Sequence, residues 1–475
     1  MKKFILIFLA VLLIGGAATG FYFLTDFFAP NNNDISQPVT QMDLRGQTLP
    51  DLEQLAQMTQ LEYLDLRETG LTEAQYRMLA EKLPSCEILW SVPFQGQPYA
   101  NHNTTHLRIT QLTEADIAQL AYFPNLTEID ASGCYDYAVL QQLQTQCPQY
   151  SLRYQVQAGG KLWEPTTTSL EIQNPDLSEL KSVLPYLQEL QTVTLTGTLP
   201  SNEELHQLQL AFPDICFVWN FTLCGVEVST IDFIVDLSGV PLENTLEVEA
   251  ALPYFYNLER VEMCECGISN EEMDALGKRN PDVRFIWTVS IGWKIRLRTD
   301  ATALIPLKYE TVVGNYETAN LKYCVDMVCL DLGHHEVTDL SFVTYMPKLK
   351  YLVLADSAIE DISPLAGHPS LEYLELFVTN VRDYSPLISC PNLKDLNICY
   401  AAPRDASALV QMTGLENLYI KTGGIPYYID ELLQALPNTN IVYDSSKDSH
   451  ATGDGWRKLP RYYEMRDMLG MHYMD

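Results

Sequence analysis

An α/β solenoid, with parallel strands on a concave face and short helices or turns on a convex face, is the fold class this sequence predicts. One transmembrane helix is expected ahead of it. Three observations lead there. Apolar strand centres recur at steps of 18–26 residues from Leu44 to Leu304. Five leucines, Leu330, Leu352, Leu374, Leu396 and Leu418, follow at steps of 22 residues. An uncharged apolar run fills residues 4–24. The chain of 475 residues is 47% hydrophobic and 19% charged, which is enough apolar mass for an extended core. Its net charge of −31 repels phosphate backbones and argues against a nucleic-acid partner.

Residues 1–3 read as a basic cytoplasmic leader, with Lys2 and Lys3 before FILIFLAVLLIGGAATGFYFL at residues 4–24. A bilayer span needs about 20 apolar residues, so this run predicts a single-pass anchor. The alternative is a signal peptide cut near Ala17, Ala18 or Gly20, but Phe21 to Leu24 continue the apolar run. The positive-inside rule then places all that follows outside the cytoplasm, at the cell membrane, or secreted if the leader is cleaved. Residues 25–41, containing PNNNDISQP, form a polar linker.

Residues 42–324 predict an irregular part of the solenoid, in four units of three coils. Its marker is a Pro followed six residues later by Trp or Tyr: PSCEILW, PQYSLRY, PDICFVW and PDVRFIW, with PNTNIVY further on. The Pro stands just past a helix-like stretch such as NEELHQLQLAF, where it ends the helical ladder. The residues after it alternate as a strand. An exposed Trp would suit a sugar or peptide platform. Recurrence in register instead predicts Trp90, Tyr154, Trp219 and Trp287 as inward core residues. Eleven irregularly spaced cysteines read as small buried side chains, not a disulfide frame.

Residues 325–445 carry the regular coils, for example LKYLVLADSAIEDISPLAGHPS. They resemble the leucine-rich repeat family, specifically its 22-residue internalin-like type, and the looser coils of 42–324 keep a compatible register. The resemblance implies a bacterial surface protein. It also implies an Asn ladder after L-x-L-x-x, but here those positions hold His335, Ser357, Thr379, Ala401 and Gly423. A second ladder is intact: Asp339, Asp361, Asp383 and Asp405, each followed two positions on by Ser. Four stacked carboxylates suggest a calcium column, but D-x-S-P-L lacks a calcium loop's oxygen cage, so capping of short helical turns is expected.

No motif for catalysis, a metal or a cofactor is present. The adjacent His334 and His335 point to opposite sides of an extended chain and are expected in a surface loop. Function is therefore expected from architecture: non-catalytic binding of a protein or surface polymer by the concave wall. The expected contact patch joins Tyr351, Tyr373, Phe377 and Tyr419 to Asp331, Glu375 and Asp395, because aromatic residues dominate interface hot spots. A carbohydrate or cell-wall ligand is the rival reading, and a cell-wall hydrolase the enzyme alternative. The tail, residues 446–475, mixes Trp456, Arg461 and several Tyr and Met, and is expected to cap the last coil or, alternatively, to dock a partner.

Overall fold

The computed structural model describes residues 39–307, 309–401, 403–421, 426–443 and 455–471. The expected transmembrane helix needs correction. Among the described residues no helix is long and apolar enough to cross a membrane, and residues 4–24 lie outside them. The longest described helices have ten residues, such as Glu73–Lys82, and span only about half a hydrocarbon core at 1.5 Å per residue. The chain divides into two compact units, Met1–Thr167 with Ser178–Glu189, and Thr168–Leu177 with Leu190–Asp475.

In the first unit, Gln41–Asp43, Tyr63–Leu66 and Glu87–Phe94 pair as parallel strands, with Met42, Leu64 and Ile88 in register. A second sheet aligns Leu107, Ile129 and Leu152. The first centre thus falls on Met42, not Leu44. Within the second unit two more three-stranded sheets align Leu170, Val193 and Phe217, then Val235, Val261 and Phe285. Capping fixes the helices between these strands. Thr72 with Gln75, and Ser201 with Glu204, each form a reciprocal capping box. Leu205 and Leu208 are then buried on one face, and Pro213 stops the helix just after its end.

Between the three-stranded sheets the chain does something the strand alternation did not announce. The steps of 18–19 residues hold no helix. The aromatic strand runs on into an antiparallel hairpin, pairing Ser91 with Ala100, Val156 with Trp163, Asn220 with Ser229 and Thr288 with Arg298. In the hairpin ending in Cys224–Gly225 both turn residues have positive φ (50° and 85°), the backbone of a two-residue turn that matches strand twist. Three of the four returns are locked onto the aromatic position, the first by the Asn101 N–H on the Trp90 carbonyl (3.0 Å). Thr230 N–H donates to the Trp219 carbonyl (3.1 Å) and Thr299 N–H to that of Trp287 (2.9 Å).

Trp90, Tyr154 and Trp219 are buried, whereas Trp287 is only half-buried. Trp219 and Trp287 donate their indole N–H to Asn202 (3.1 Å) and Asn270 (3.0 Å), each 17 residues earlier. At the matching position before Trp90 stands Glu73, which is engaged by Tyr122 and Gln119. Among the described residues the Trp90 indole N–H has no partner, and the ring stacks on Tyr76 at 4.4 Å. Trp219→Phe is therefore expected to lose about 1–2 kcal/mol beyond packing by orphaning Asn202, a loss Trp90→Phe escapes. Urea midpoints of the two variants measure this, and equal losses would refute it.

The regular half is one parallel sheet of seven strands. Leu304, Leu330, Leu352, Leu374, Leu396, Leu418 and Ile441 stand in register across it. The leucines are buried, each contributing about 1.5–3 kcal/mol of apolar transfer. The opposite side is made of short 3₁₀ turns such as Ser363–Leu365. At each turn an Asp accepts the backbone N–H two residues on: Asp339 from Ser341, Asp361 from Ser363, Asp383 from Ser385 and Asp405 from Ser407, at 2.8–2.9 Å. These bonds hold Asp361 and Asp383 below the usual carboxylate range, and the Ser407 hydroxyl with its N–H does the same for Asp405, so their support is present above that range and is lost as acid protonates them.

Other groups stand in for the absent Asn ladder. The Ser357 and Thr379 hydroxyls donate to the Leu354 and Leu376 carbonyls (2.6 and 2.8 Å). His335 is buried, with Nδ1 accepting the Val313 N–H and Nε2 2.9 Å from the Pro306 carbonyl oxygen. The surface-loop expectation therefore holds for His334 alone, because an inward turn position has backbone groups that an imidazole can satisfy. The neighbouring corner is left-handed in four successive regular coils. His334, Asp356, Val378 and Tyr400 have φ between 52° and 66°, and all four side chains are exposed.

Candidate functional site

The side chains flanking the leucine column form the strand face of the regular coils. Across one row Cys329, Tyr351, Tyr373, Asp395 and Asn417 are neighbours; across the other, Asp331, Val353, Glu375, Asn397 and Tyr419. Register thus brings the expected contact residues together. It does not leave them open. Tyr351, Tyr373, Asp395 and Tyr419 are at most 4% exposed, and Asp331, Glu375 and Phe377 are half-buried.

The cover is the chain's own C-terminal segment, the 3₁₀ turn Trp456–Lys458 and the helix Pro460–Met468. Trp456 is fully buried, with its ring 4.5 Å from Tyr373 and 5.3 Å from Tyr419, and its indole N–H donates to Glu375 Oε2 at 2.7 Å. Arg461 donates to Asp395 (3.2 Å) and Glu416 (2.9 Å) and lies 3.7 Å from Glu372. Tyr351 donates its hydroxyl to Glu464 at 2.6 Å. Met465, with Leu459, Tyr462 and Leu469, packs against Cys329, Val353, Ala355 and Cys399.

The tail was expected over the last coil, and the structure instead lays it along the strands. The physical reason is complementarity. The strand face offers an aromatic cleft for Trp456 and carboxylates for Arg461. Both halves of this match were legible separately, as an acidic aromatic wall and a basic aromatic tail.

Burial under the tail pushes the Glu375 and Asp395 carboxyls up, against the opposing pull of the Trp456 N–H and of Asn417 and Arg461. Burial likewise raises the Asp331 carboxyl and the Tyr373 hydroxyl. One polar atom is left over. Asn397 Oδ1 accepts the Cys399 N–H at 3.0 Å, which fixes the amide's orientation, and its buried Nδ2 has no partner among the described residues. In the first unit, by contrast, the buried Asp65 is neutralised within its own face by Arg67 (2.6 Å) and Arg45 (3.2 Å).

No disulfide links any of the described cysteines. Among the described residues no group of three or more His, Cys, Asp or Glu side chains could hold a metal ion.

No protein-family model matches the chain, and no curated protein matches it. Solved structures similar to it are leucine-rich-repeat proteins. Internalin C2 of Listeria monocytogenes is 22% identical over 31% of this chain and 76% of its own, with a TM-score of 0.25. An internalin of the same organism, inlF, is 14% identical over 92% and 86%, with a TM-score of 0.24. A leucine-rich-repeat protein of Leptospira interrogans is 16% identical over 85% and 96%, with a TM-score of 0.28. With scores this low, the repeat architecture rests on the strand register of the chain itself.

Proposed function

We propose that this chain, built of leucine-rich repeats, is a non-catalytic binding protein that engages another protein through the strand face of its regular coils. The observation that carries the reading is the docked tail. An indole, a guanidinium and a helix face are already held there by aromatic rings and carboxylates, as in a helix-in-groove complex. The same contacts favour a protein over a glycan, because Tyr373 and Tyr419 take an indole and Glu375 takes its N–H, groups that a protein side chain presents. Lys2 and Lys3 ahead of an apolar run support export of the repeats from the cytoplasm.

The test uses the full chain with a photo-reactive amino acid at the exposed Val378, beside the strand face. Discrete protein adducts from a cell-surface extract are the expected result. Adducts with wall polymer or glycan alone would overturn the reading.

A further inference from the structure

The tail meets the strand face unevenly, and the unevenness indicates the chemistry of another occupant. Its two anchors are well served. Trp456 sits against Tyr373 and Tyr419 with its N–H on Glu375, and Arg461 reaches Asp395, Glu416 and Glu372. Between them the buried Asn397 amide keeps a donor unmet among the described residues, and the Cys399 N–H prevents the amide from turning round to hide it. A peptide selected for this groove would bring an acceptor to that nitrogen, since an unsatisfied buried donor weakens any complex that leaves it so. The segment that holds the groove is short. A nine-residue helix has little stability of its own, so its order depends on these contacts.

Resting on the binding function above, we propose that the strand face of coils 329–421 is a receptor groove for a helical segment of a partner protein. That segment presents an indole and a guanidinium at the spacing of Trp456 and Arg461, and a carbonyl or carboxylate oxygen to Asn397. Residues 455–471 are its resident competitor, and the partner binds by displacing them. Charge favours this occupant: the groove carries Asp331, Glu372, Glu375, Asp395 and Glu416, and the whole chain carries −31.

The probe is a fluorescein-labelled synthetic peptide of residues 455–471, titrated against the full chain and against full-length Trp456→Ala/Arg461→Glu. The released variant is expected to bind the peptide at least about tenfold more tightly than the wild type, whose groove is filled. A peptide carrying the same two changes should bind neither. If the double variant does not fold, full-length Arg461→Glu, which leaves the buried Trp in place, gives the same comparison. A folded variant that ignores the wild-type peptide overturns the proposal. So does a wild-type chain that exchanges tails into dimers on sedimentation, which would make a second copy the occupant. Peptide binding without protein adducts at Val378 leaves the groove standing and removes the proposed function. Equal adducts from wild-type and released chains keep the function and remove the competitor.

Discussion

Trp456→Ala is expected to free residues 455–471 from the strand face while the seven-stranded sheet stays folded. Removing a fully buried Trp costs about 3–5 kcal/mol, and it strips Glu375 of its indole donor. The remaining docking contacts are one partly exposed Arg461 cluster, the Tyr351–Glu464 bond and one helix face, too few to order a helix this short. At about 1.4 kcal/mol per tenfold, the balance between docked and free tail shifts by more than about a hundredfold. Amide hydrogen exchange reads this directly. Protection should vanish from 455–471 and persist through the strands around Leu352, Leu374 and Leu396. Loss of protection in those strands together with the tail would show that the tail is part of the repeat core and not a guest upon it.

Leu374→Ala is expected to destabilise the regular coils by about 2–5 kcal/mol. Leu374 is fully buried and lies in register between Leu352 and Leu396 near the middle of the longest column in the chain. Each coil leans on its neighbours, so a cavity there weakens two coil-to-coil contacts at once and is not compensated from a distance. Urea unfolding followed by circular dichroism should show a lower midpoint. Leu162→Ala, in an exposed hairpin position, should stay within about 0.5 kcal/mol of wild type. A loss below about 1 kcal/mol at Leu374 would contradict its place in the core.

The regular coils were the most legible part because one spacing controls everything in them. A 22-residue step returns Leu330 through Leu418 to the same strand position, and the sheet aligns these residues one to one. The hairpins were not legible because alternation reports which face a side chain takes, and nothing about strand direction. The dipeptides Gln95–Gly96, Gly159–Gly160 and Cys224–Gly225 were the available signal. Trp287 shares its pattern with Trp219 but is less deeply buried, because burial depends on what the next element brings. The candidate surface was legible as a set of residues and misjudged as open. Sequence periodicity aligns Tyr373 with Tyr351, but a contact with Trp456, 83 positions further along, follows no period.

The left-handed corners have a consequence of a different kind. Glycine is the usual occupant of such a conformation, and other residues incur about 1–2 kcal/mol of strain there. Here four successive coils carry His334, Asp356, Val378 and Tyr400 at that corner, one of them β-branched, and all face solvent. The backbone sets the corner, through N–H bonds such as that from Asp356 to the Phe377 carbonyl (2.8 Å), whatever side chain is mounted on it. The four positions therefore form a strip whose lettering can be rewritten without moving a strand, a row of interchangeable characters printed along the edge of a fixed page.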